Sequence, residues 1–211
     1  MTDEWLARWN NRYAEEEYAF GEEPNFYLKT QLEKLPPGKI LFPAEGEGRN
    51  AVYAARLGWE VSAFDISVEG QRKALQLAAR HGVRIDYQVG DLQSINYPEG
   101  HFDVLALIYA HFPSAVKSMY HKSLEKYITS NGHIVFEAYS KAHAVNVANN
   151  PKVGGPSELA MLFSMQEIRD DFPGYEFDEL REEHIDLHEG KYHNGHSSVI
   201  RAFGRKRFEY R

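Results

Sequence analysis

Cysteine is absent from this sequence of 211 residues. Its absence excludes disulfide bonds, thiolate metal ligands and cysteine nucleophiles, and it suits a reducing compartment, so we expect a cytoplasmic protein. Long hydrophobic runs are also missing. No apolar segment approaches the roughly 18 residues that a membrane span requires, and the N-terminal MTDEWLARWN has no apolar signal core. We therefore expect no membrane partner.

Positive charge is scarce. The chain has 24 lysines and arginines against 31 aspartates and glutamates, which gives a formal net charge of -7 at pH 7. Such a surface repels the phosphates of nucleic acids, and the short basic run at 205–207 is too small to reverse this. The charge balance favours a small-molecule ligand over nucleic acid.

The first two thirds of the chain alternate between strand-like and helix-like segments. No linker rich in Pro, Gly or Ser divides them. This alternation favours an α/β fold with a parallel, doubly wound sheet in one domain. The predicted strands cover residues 39–43, 59–64, 84–89, 102–108 and 132–139, and the predicted helices cover 3–18, 26–35, 49–57, 67–81 and 114–129.

The last third of the chain departs from this alternation. A predicted loop at 141–156 and a helix at 165–172 lead to two long strand-like segments, 175–187 and 196–206. Residues 189–195 join these two segments as a long hairpin connection. We therefore predict a mostly parallel seven-stranded sheet that ends in an antiparallel hairpin and is preceded by N-terminal helices.

A glycine-bearing loop directly follows the first predicted strand and opens a helix. Glycine allows the backbone to turn tightly and to approach a ligand, and the helix N-terminus offers free N–H groups. On its own, a glycine pair after a strand also fits a simple tight turn. The residues of this loop that we predict to bind a cofactor are Ala44, Glu45, Gly46, Glu47, Gly48 and Asn50.

Two further acids stand at the ends of the next two strands. Asp65 can accept hydrogen bonds from both hydroxyls of a ribose, and Asp91 can accept one from an adenine amino group while Leu92 packs on the ring. Separately, Asp65 also fits a residue before a helix cap, and Asp91 a residue that ends a strand. Together the three strand ends predict one nucleotide-binding crevice, because open α/β sheets bind ligands there.

The glycine loop alone does not choose the cofactor. Gly46-x-Gly48-x-x-Ala51 also satisfies the dinucleotide fingerprint, and Asp65 suits the ribose of NAD. However, Glu45 and Glu47 disfavour a pyrophosphate, and 211 residues leave no room for a separate substrate domain. S-adenosylmethionine has no phosphate and carries a sulfonium and an ammonium group, so we predict it as the cofactor. An NAD-binding oxidoreductase is the alternative.

Several of these residues resemble a known family. Residues 40–67 resemble the first two motifs of class I S-adenosylmethionine-dependent methyltransferases. The resemblance implies transfer of a methyl group to a small-molecule acceptor, which leaves S-adenosylhomocysteine. The later core motifs are matched by Gly90-Asp91-Leu92, Phe102-Asp103-Val104 and Gly132-His133-Ile134. The tellurite-resistance-like branch of the family is matched by Trp9-Asn10-Asn11-Arg12-Tyr13, residues 20–25, Gly154-Gly155-Pro156 and residues 197–201.

The first strand departs from the family pattern. The family has an acid at its end and a glycine two residues later, where this chain has Phe42 and Ala44. That acid helps to hold the methionine ammonium group in the family, and here Glu45, Glu47 or backbone carbonyls can replace it. A non-catalytic S-adenosylmethionine-binding protein therefore stays an alternative function.

The end of the fourth strand is expected to lie beside the methyl group. We predict cofactor contacts from Ile66, Ile108 and Tyr109. His111 is the candidate general base or substrate contact, because histidine titrates near neutral pH, although it also fits a helix cap. Tyr139 is the second candidate catalytic residue.

Other residues have weaker claims to a role at the site. Glu137 at the end of the fifth strand can reach the same crevice, and both it and Tyr139 also fit ordinary strand residues. We interpret His184, His188, His193 and His196 as solvated histidines of the hairpin. A substrate contact or a zinc pair are the alternatives, and no metal is predicted.

The resemblance also divides the predicted single domain, residues 1–211. Residues 1–37 form a helical cap whose stretch 13–25 lies near the cofactor, where Tyr18 or Phe20 can close over the sulfonium. Residues 38–140 form the cofactor-binding core, and residues 141–211 supply a lid loop, a helix and the hairpin. Both a monomer and a homodimer are compatible with the sequence.

Overall fold

A seven-stranded sheet forms the centre of the protein, which is described here by a computed structural model over residues 2–207. Residue 1 and residues 208–211 of the predicted domain lie outside the described residues. The strands follow the order β3-β2-β1-β4-β5-β7-β6 across the sheet. They are β1 (Lys39–Pro43), β2 (Glu60–Asp65), β3 (Asp86–Val89), β4 (Phe102–Ile108), β5 (Ile128–Tyr139), β6 (Tyr175–Glu189) and β7 (His193–Lys206).

The first five strands run parallel, and the last two reverse direction. β7 pairs antiparallel with β5, and β6 pairs antiparallel with β7. The predicted fold, a mostly parallel sheet that ends in an antiparallel hairpin, is confirmed. The strand order changes direction between β1 and β4, and such a switch point opens a crevice at the carboxyl ends of the strands.

Helices cover both faces of the sheet. Because side chains alternate along a strand, Leu41 enters one apolar cluster while Ile40 and Phe42 enter another. Burial on both faces explains why β4 is almost wholly apolar. The helices are α1 (Asp3–Tyr13), α2 (Phe26–Leu32), α3 (Arg49–Arg56), α4 (Val68–Arg80), α5 (Lys117–Glu125), α6 (His143–Asn149) and α7 (Met165–Asp171). Among residues 2–207, none of these helices has the length and apolarity to cross a bilayer.

Three predicted helices are too long. The first helix ends at Tyr13 instead of residue 18, and the second at Leu32 instead of residue 35. The helix predicted at 114–129 is only α5, because Ile128 is buried and pairs with Phe102 at the start of β5. Pairing with a neighbouring strand, which a local pattern does not show, overrides helix propensity here.

Two segments of the last third also differ from the prediction. The predicted loop 141–156 contains α6, which is held by the buried His143 and not by a side-chain cap. The hairpin connection is three residues long instead of seven, since Glu189 and His193 already pair across β6 and β7. Gly190 makes the short turn with a positive φ of 67°.

Candidate active site

A cavity of about 530 Å³ opens at the carboxyl ends of the central strands. We call it the strand-end cavity. Residues from the ends of β1 to β5 line it, and so do residues from α1, from the segment 154–161 and from the turn of the β6–β7 hairpin. The cavity therefore lies at the switch point of the sheet, where the sequence predicted a crevice.

The glycine loop is shaped by its packing against two helices. Gly46 and Gly48 have φ values of 64° and 87°, which favour glycine. A Cβ at Gly48 would lie 2.5 Å from Cβ of Ala74 in α4, and one at Gly46 would lie 2.7 Å from the hydroxyl of Tyr13 in α1. The two glycines thus let the protein's own helices approach the loop.

Two carboxylates of this region line the cavity and are held by backbone N–H groups. Asp65 accepts hydrogen bonds from the N–H groups of Gly46 at 3.0 Å and Ser67 at 2.9 Å. Glu45 accepts from the N–H groups of Asn50 at 2.9 Å and Ala51 at 2.8 Å, at the start of α3. Burial raises the pKa of Asp65 to about 6 and the pKa of Glu45 to about 7.

The side chain of Glu47 is not among those that line the strand-end cavity. Its carboxylate forms a buried ion pair with Lys73 of α4 at 2.8 Å and accepts a hydrogen bond from the N–H of Ala19 at 2.8 Å. This placement does not support the predicted contact between Glu47 and a cofactor. Instead, Glu47 ties the segment after α1 to α4.

The other predicted cofactor residues are brought to the same cavity. Ala44, Asn50, Ile66, Asp91, Leu92, Ile108 and Tyr109 all line it. Ala44 and Tyr109, at the ends of the neighbouring strands β1 and β4, both have a φ of 52°, which is strained for residues other than glycine. The backbone therefore turns sharply on both sides of the switch point.

The two predicted catalytic residues also line the cavity, but their polar atoms are used differently. Nδ1 of His111 lies 3.2 Å from the carbonyl oxygen of Met161, while its buried Nε2 has no protein partner among residues 2–207. Burial lowers the pKa of His111 to about 3, so the ring is neutral. The hydroxyl of Tyr139 donates to the carbonyl of Val153 at 3.2 Å, which leaves its ring as a wall of the cavity.

Glu137 is buried in an internal network. It accepts hydrogen bonds from Nδ2 of Asn25 at 2.7 Å and from Nε of Arg201 at 2.6 Å. These bonds join α2, β5 and β7 behind the cavity. The interpretation of Glu137 as a strand residue with a structural role agrees with this placement.

His193 is the main site residue that the sequence interpretation placed wrongly. It was expected to be solvated, but it is only 5% exposed and lines the cavity. Its ring centroid lies 4.3 Å from that of Tyr109 and 4.4 Å from that of Phe20. Further cavity residues that the sequence did not indicate are Arg8, Arg12, Arg49, Glu158, Met161 and Tyr192.

The other hairpin histidines lie away from the cavity. The rings of His184 and His196 stack at 5.5 Å, and Nδ1 of His196 lies 3.1 Å from the exposed carboxylate of Asp186. His188 pairs with Asn194 across the two strands. Within residues 2–207, no cluster of three or more His, Asp or Glu side chains has an arrangement that could hold a metal ion.

Comparison with known proteins gives a domain match and a set of similar folds. Residues 40–132, from β1 into β5, match the model of a family described as a methyltransferase domain. No match was found among curated proteins. The matched stretch contains all of the predicted cofactor-binding residues.

Solved structures share the fold at low sequence identity. A protein studied for the conversion of a disulfide bond into a thioacetal group during echinomycin biosynthesis has a TM-score of 0.76 at 17% identity, over 100% of this chain and 94% of that one. TehB from Haemophilus influenzae has a TM-score of 0.69 at 17% identity, over 85% and 61%. Magnesium protoporphyrin IX methyltransferase from Synechocystis PCC 6803, with bound S-adenosylhomocysteine, has a TM-score of 0.64 at 15% identity, over 97% and 95%.

The methyltransferase-domain match over residues 40–132 and the fold shared with solved methyltransferases support a methyltransferase enzyme that uses S-adenosylmethionine. The predictions of methyl transfer and of S-adenosylmethionine are thus confirmed, in place of the NAD alternative. The residues present also fit this methyl donor. Glu45, Asp65 and Asp91 give the cavity an acidic side that suits ribose hydroxyls, an amino group and a cationic ligand.

Proposed function

We propose that the acceptor of the methyl group is a small molecule that binds in the strand-end cavity beside the methyl donor. The observation that carries this proposal is that one cavity joins the acidic strand ends to a set of aromatic and histidine side chains. Ligand sites commonly measure about 300–1,000 Å³. A cavity of about 530 Å³ that must hold both molecules leaves room only for a small acceptor.

The acidic side is proposed to hold S-adenosylmethionine, which supplies an electrophilic methyl group on a sulfonium. Asp65 accepts from the ribose hydroxyls, and Asp91 with Leu92 holds the adenine. Glu45 replaces the acid that is missing at Phe42 and faces the ammonium group. Glu45 suits this role because it lines the cavity, whereas Glu47 is paired with Lys73.

The aromatic side is proposed to hold the acceptor. The carbonyl of Met161 accepts a hydrogen bond from Nδ1–H of His111. Nε2 of His111 therefore carries no proton and lies within the cavity wall as a hydrogen-bond acceptor. Because this nitrogen and the hydroxyl of Tyr109 are both buried, the two side chains shape the acceptor side with their rings. Tyr139 shapes the wall with its ring.

A soft nucleophile suits this environment best. The aromatic and neutral imidazole rings favour an uncharged or weakly hydrated acceptor. Among the similar folds, one protein acts on a disulfide, which is also sulfur chemistry.

We further propose that the chain acts as one domain in the cytoplasm, as a monomer or a homodimer. Its lack of cysteine and of apolar runs supports the cytoplasmic location.

Thermal unfolding with S-adenosylhomocysteine, S-adenosylmethionine and NAD tests the proposed cofactor side. A ligand at 100 times its Kd stabilises a protein by about 2.7 kcal/mol, or roughly 5–10 °C for a chain of this size. We expect this shift with both sulfur ligands, its loss in Asp65→Asn, and no loss in Asp86→Asn, a control acid exposed on β3. A shift that survives in Asp65→Asn would contradict the proposed site.

A further inference from the structure

We propose that His193 is the catalytic residue that takes a proton from the acceptor during methyl transfer, and that Glu189 holds it for this task. The acceptor must then carry a proton on its nucleophilic atom, and we assign it to the class of small thiols. This inference rests on the proposed function above, because it uses the same cavity for the acceptor.

The first support is the pairing of His193 with a carboxylate. Nδ1 of His193 lies 3.2 Å from Oε2 of Glu189, the residue directly opposite it on β6. A carboxylate in this position keeps a proton on Nδ1 and leaves Nε2 as the basic nitrogen. The same arrangement of base and orienting acid occurs in Ser-His-Asp triads, where an imidazole activates a nucleophile.

The second support is that Glu189 is itself firmly held. Its Oε2 receives a hydrogen bond from Arg49 at 2.8 Å, and its Oε1 receives one from Nδ2 of Asn25 at 3.2 Å. These partners come from α3 and from the residue that caps α2. Two separate parts of the chain thus fix one carboxylate, and through it the orientation of the His193 ring.

The third support is the position of the ring. His193 lines the strand-end cavity, packed between Phe20 and Tyr109, and Tyr109 stands at the end of β4 where the methyl group is expected. Nε2 of His193 makes no hydrogen bond to any of residues 2–207, and unlike Nε2 of His111 it is not sealed from the cavity. It is therefore available to a substrate.

Electrostatics favour His193 over His111 as the proton acceptor. When an imidazole takes a proton it becomes a cation, and Glu189, whose pKa is lowered to about 2 next to Arg49, is always charged to balance it. Nδ1 of His111 instead pairs with the neutral carbonyl of Met161, and the charge of Lys117 opposes its protonation. Burial lowers the pKa of His193 to about 4 against the pull of Glu189, so its ring is neutral before the reaction. Arg49 and Arg12 are the cations that oppose its protonation.

The charges balance in a single step. The sulfur–hydrogen bond of the acceptor breaks as its proton passes to Nε2 of His193, and the sulfur forms a bond to the methyl carbon. The bond from that carbon to the donor sulfur breaks, and its electron pair stays on the donor as S-adenosylhomocysteine. The positive charge of the sulfonium is thereby replaced by that of the imidazolium, which later releases its proton to water.

Two thiols of similar size and different acidity test this role. Benzyl mercaptan is protonated at pH 7.5, whereas 4-nitrothiophenol is ionised and needs no base. We expect His193→Gln to lower kcat/KM for benzyl mercaptan by about 10²–10⁴-fold and that for 4-nitrothiophenol by less than about tenfold. The matched control is His196→Gln. His196 lies on the same strand as His193 and also pairs with an acid, Asp186, but its side chain is 61% exposed. This substitution should therefore change neither value of kcat/KM.

The other outcomes each overturn the proposal. An equal loss with both thiols would show a structural role for His193, and no loss would show that it takes no proton. If the wild-type protein binds S-adenosylhomocysteine but methylates neither thiol, the assigned acceptor class is wrong while the proposed cofactor site stands. Failure to bind S-adenosylhomocysteine would instead overturn the proposed function.

A second measurement needs no turnover. Nitrogen-15 NMR of the histidine-labelled protein with S-adenosylhomocysteine, assigned through the missing signal in His193→Gln, reports which ring nitrogen carries the proton. We expect a neutral His193 at pH 7.5 with the proton on Nδ1. A proton on Nε2 would overturn the proposal, because that nitrogen could not then accept another.

Discussion

The two sides of the strand-end cavity are built in different ways. On the cofactor side, Glu45 and Asp65 come from the stretch between β1 and α4, and backbone N–H groups of that same stretch, at most 19 positions away, hold both. On the acceptor side, His193 is held by Glu189, which in turn is held by Arg49, 140 positions away in the chain. One side is thus fixed locally and the other by long-range side-chain contacts.

This difference has a consequence for specificity. The cofactor side is made by strand ends and the loops that follow them, so its shape depends on the sheet. Sequence changes outside the sheet leave that shape in place. A side assembled from α1, the segment 154–161 and a hairpin turn changes whenever one of these segments changes. Under the proposed assignment, the strand ends of the fold bind the methyl donor, and we expect the peripheral segments to set the acceptor.

Breaking the ion pair between Arg49 and Glu189 is expected to have the largest effect. In Arg49→Met the carboxylate of Glu189, only 15% exposed, loses its cationic partner, and such a loss costs about 3 kcal/mol of stability. Chemical denaturation measures this cost. Amide hydrogen exchange should also show faster opening at Lys191 and Tyr192, whose N–H groups donate to the carbonyl of Ala19.

The same hairpin turn offers a control. Lys191 pairs with Glu15, but these side chains are 51% and 42% exposed, so Lys191→Met should cost at most about 1 kcal/mol. Equal costs for the two variants would contradict the view that one buried ion pair clamps the hairpin to the rest of the site.

The cofactor side was also the more predictable one. The predicted bounds of β1 and β4 match the structure, because short apolar runs between turn residues indicate buried strands well. The acids at strand ends then follow from the parallel sheet. What the motif did not show is where each side chain points, so Glu47, two residues after Glu45, was assigned to the cofactor although it pairs with Lys73.

The acceptor side was harder to predict because its contacts are distant in sequence. His193 was placed in a long connection, and the signal that could have corrected this is Gly190, since a glycine turn of three residues sets Glu189 opposite His193. For Tyr139 the strand end was right, but only the structure shows that its hydroxyl is used by Val153.

Glu45→Gln tests the cofactor side through the pH dependence of stability. The pKa of Glu45 is raised from its ordinary value of 4.5 to about 7, so the folded state holds this proton more tightly than the unfolded state does. Its contribution is fully present below about pH 4.5 and is lost as the pH rises through about 7. We therefore expect Glu45→Gln to be more stable than wild type at pH 8 and no more stable at pH 4, by denaturant titration.

The same variant should bind the cofactor less well. Calorimetry at pH 8 is expected to show about tenfold weaker binding of both sulfur ligands, equivalent to about 1.4 kcal/mol. The exposed Glu60→Gln on β2 should change neither stability nor binding. Weaker binding of S-adenosylmethionine alone would mean that Glu45 faces the sulfonium and not the ammonium group.

Ala44→Gly is expected to have the smallest effect, and its sign is informative. Ala44 has a φ of 52°, which costs a residue with a Cβ about 1–2 kcal/mol. Glycine removes this strain but makes the unfolded chain more flexible, at about 0.5–1 kcal/mol.

We expect a net gain of about 0.5 kcal/mol for Ala44→Gly, seen as a rise in Tm of about 1–2 °C with unchanged binding of S-adenosylhomocysteine. Ala54→Gly, in the interior of α3, relieves no such strain and should cost at least about 1 kcal/mol. A loss of stability in Ala44→Gly would show that packing of the Ala44 methyl group against the core outweighs its backbone strain, and that alanine stands at this strand end for its side chain.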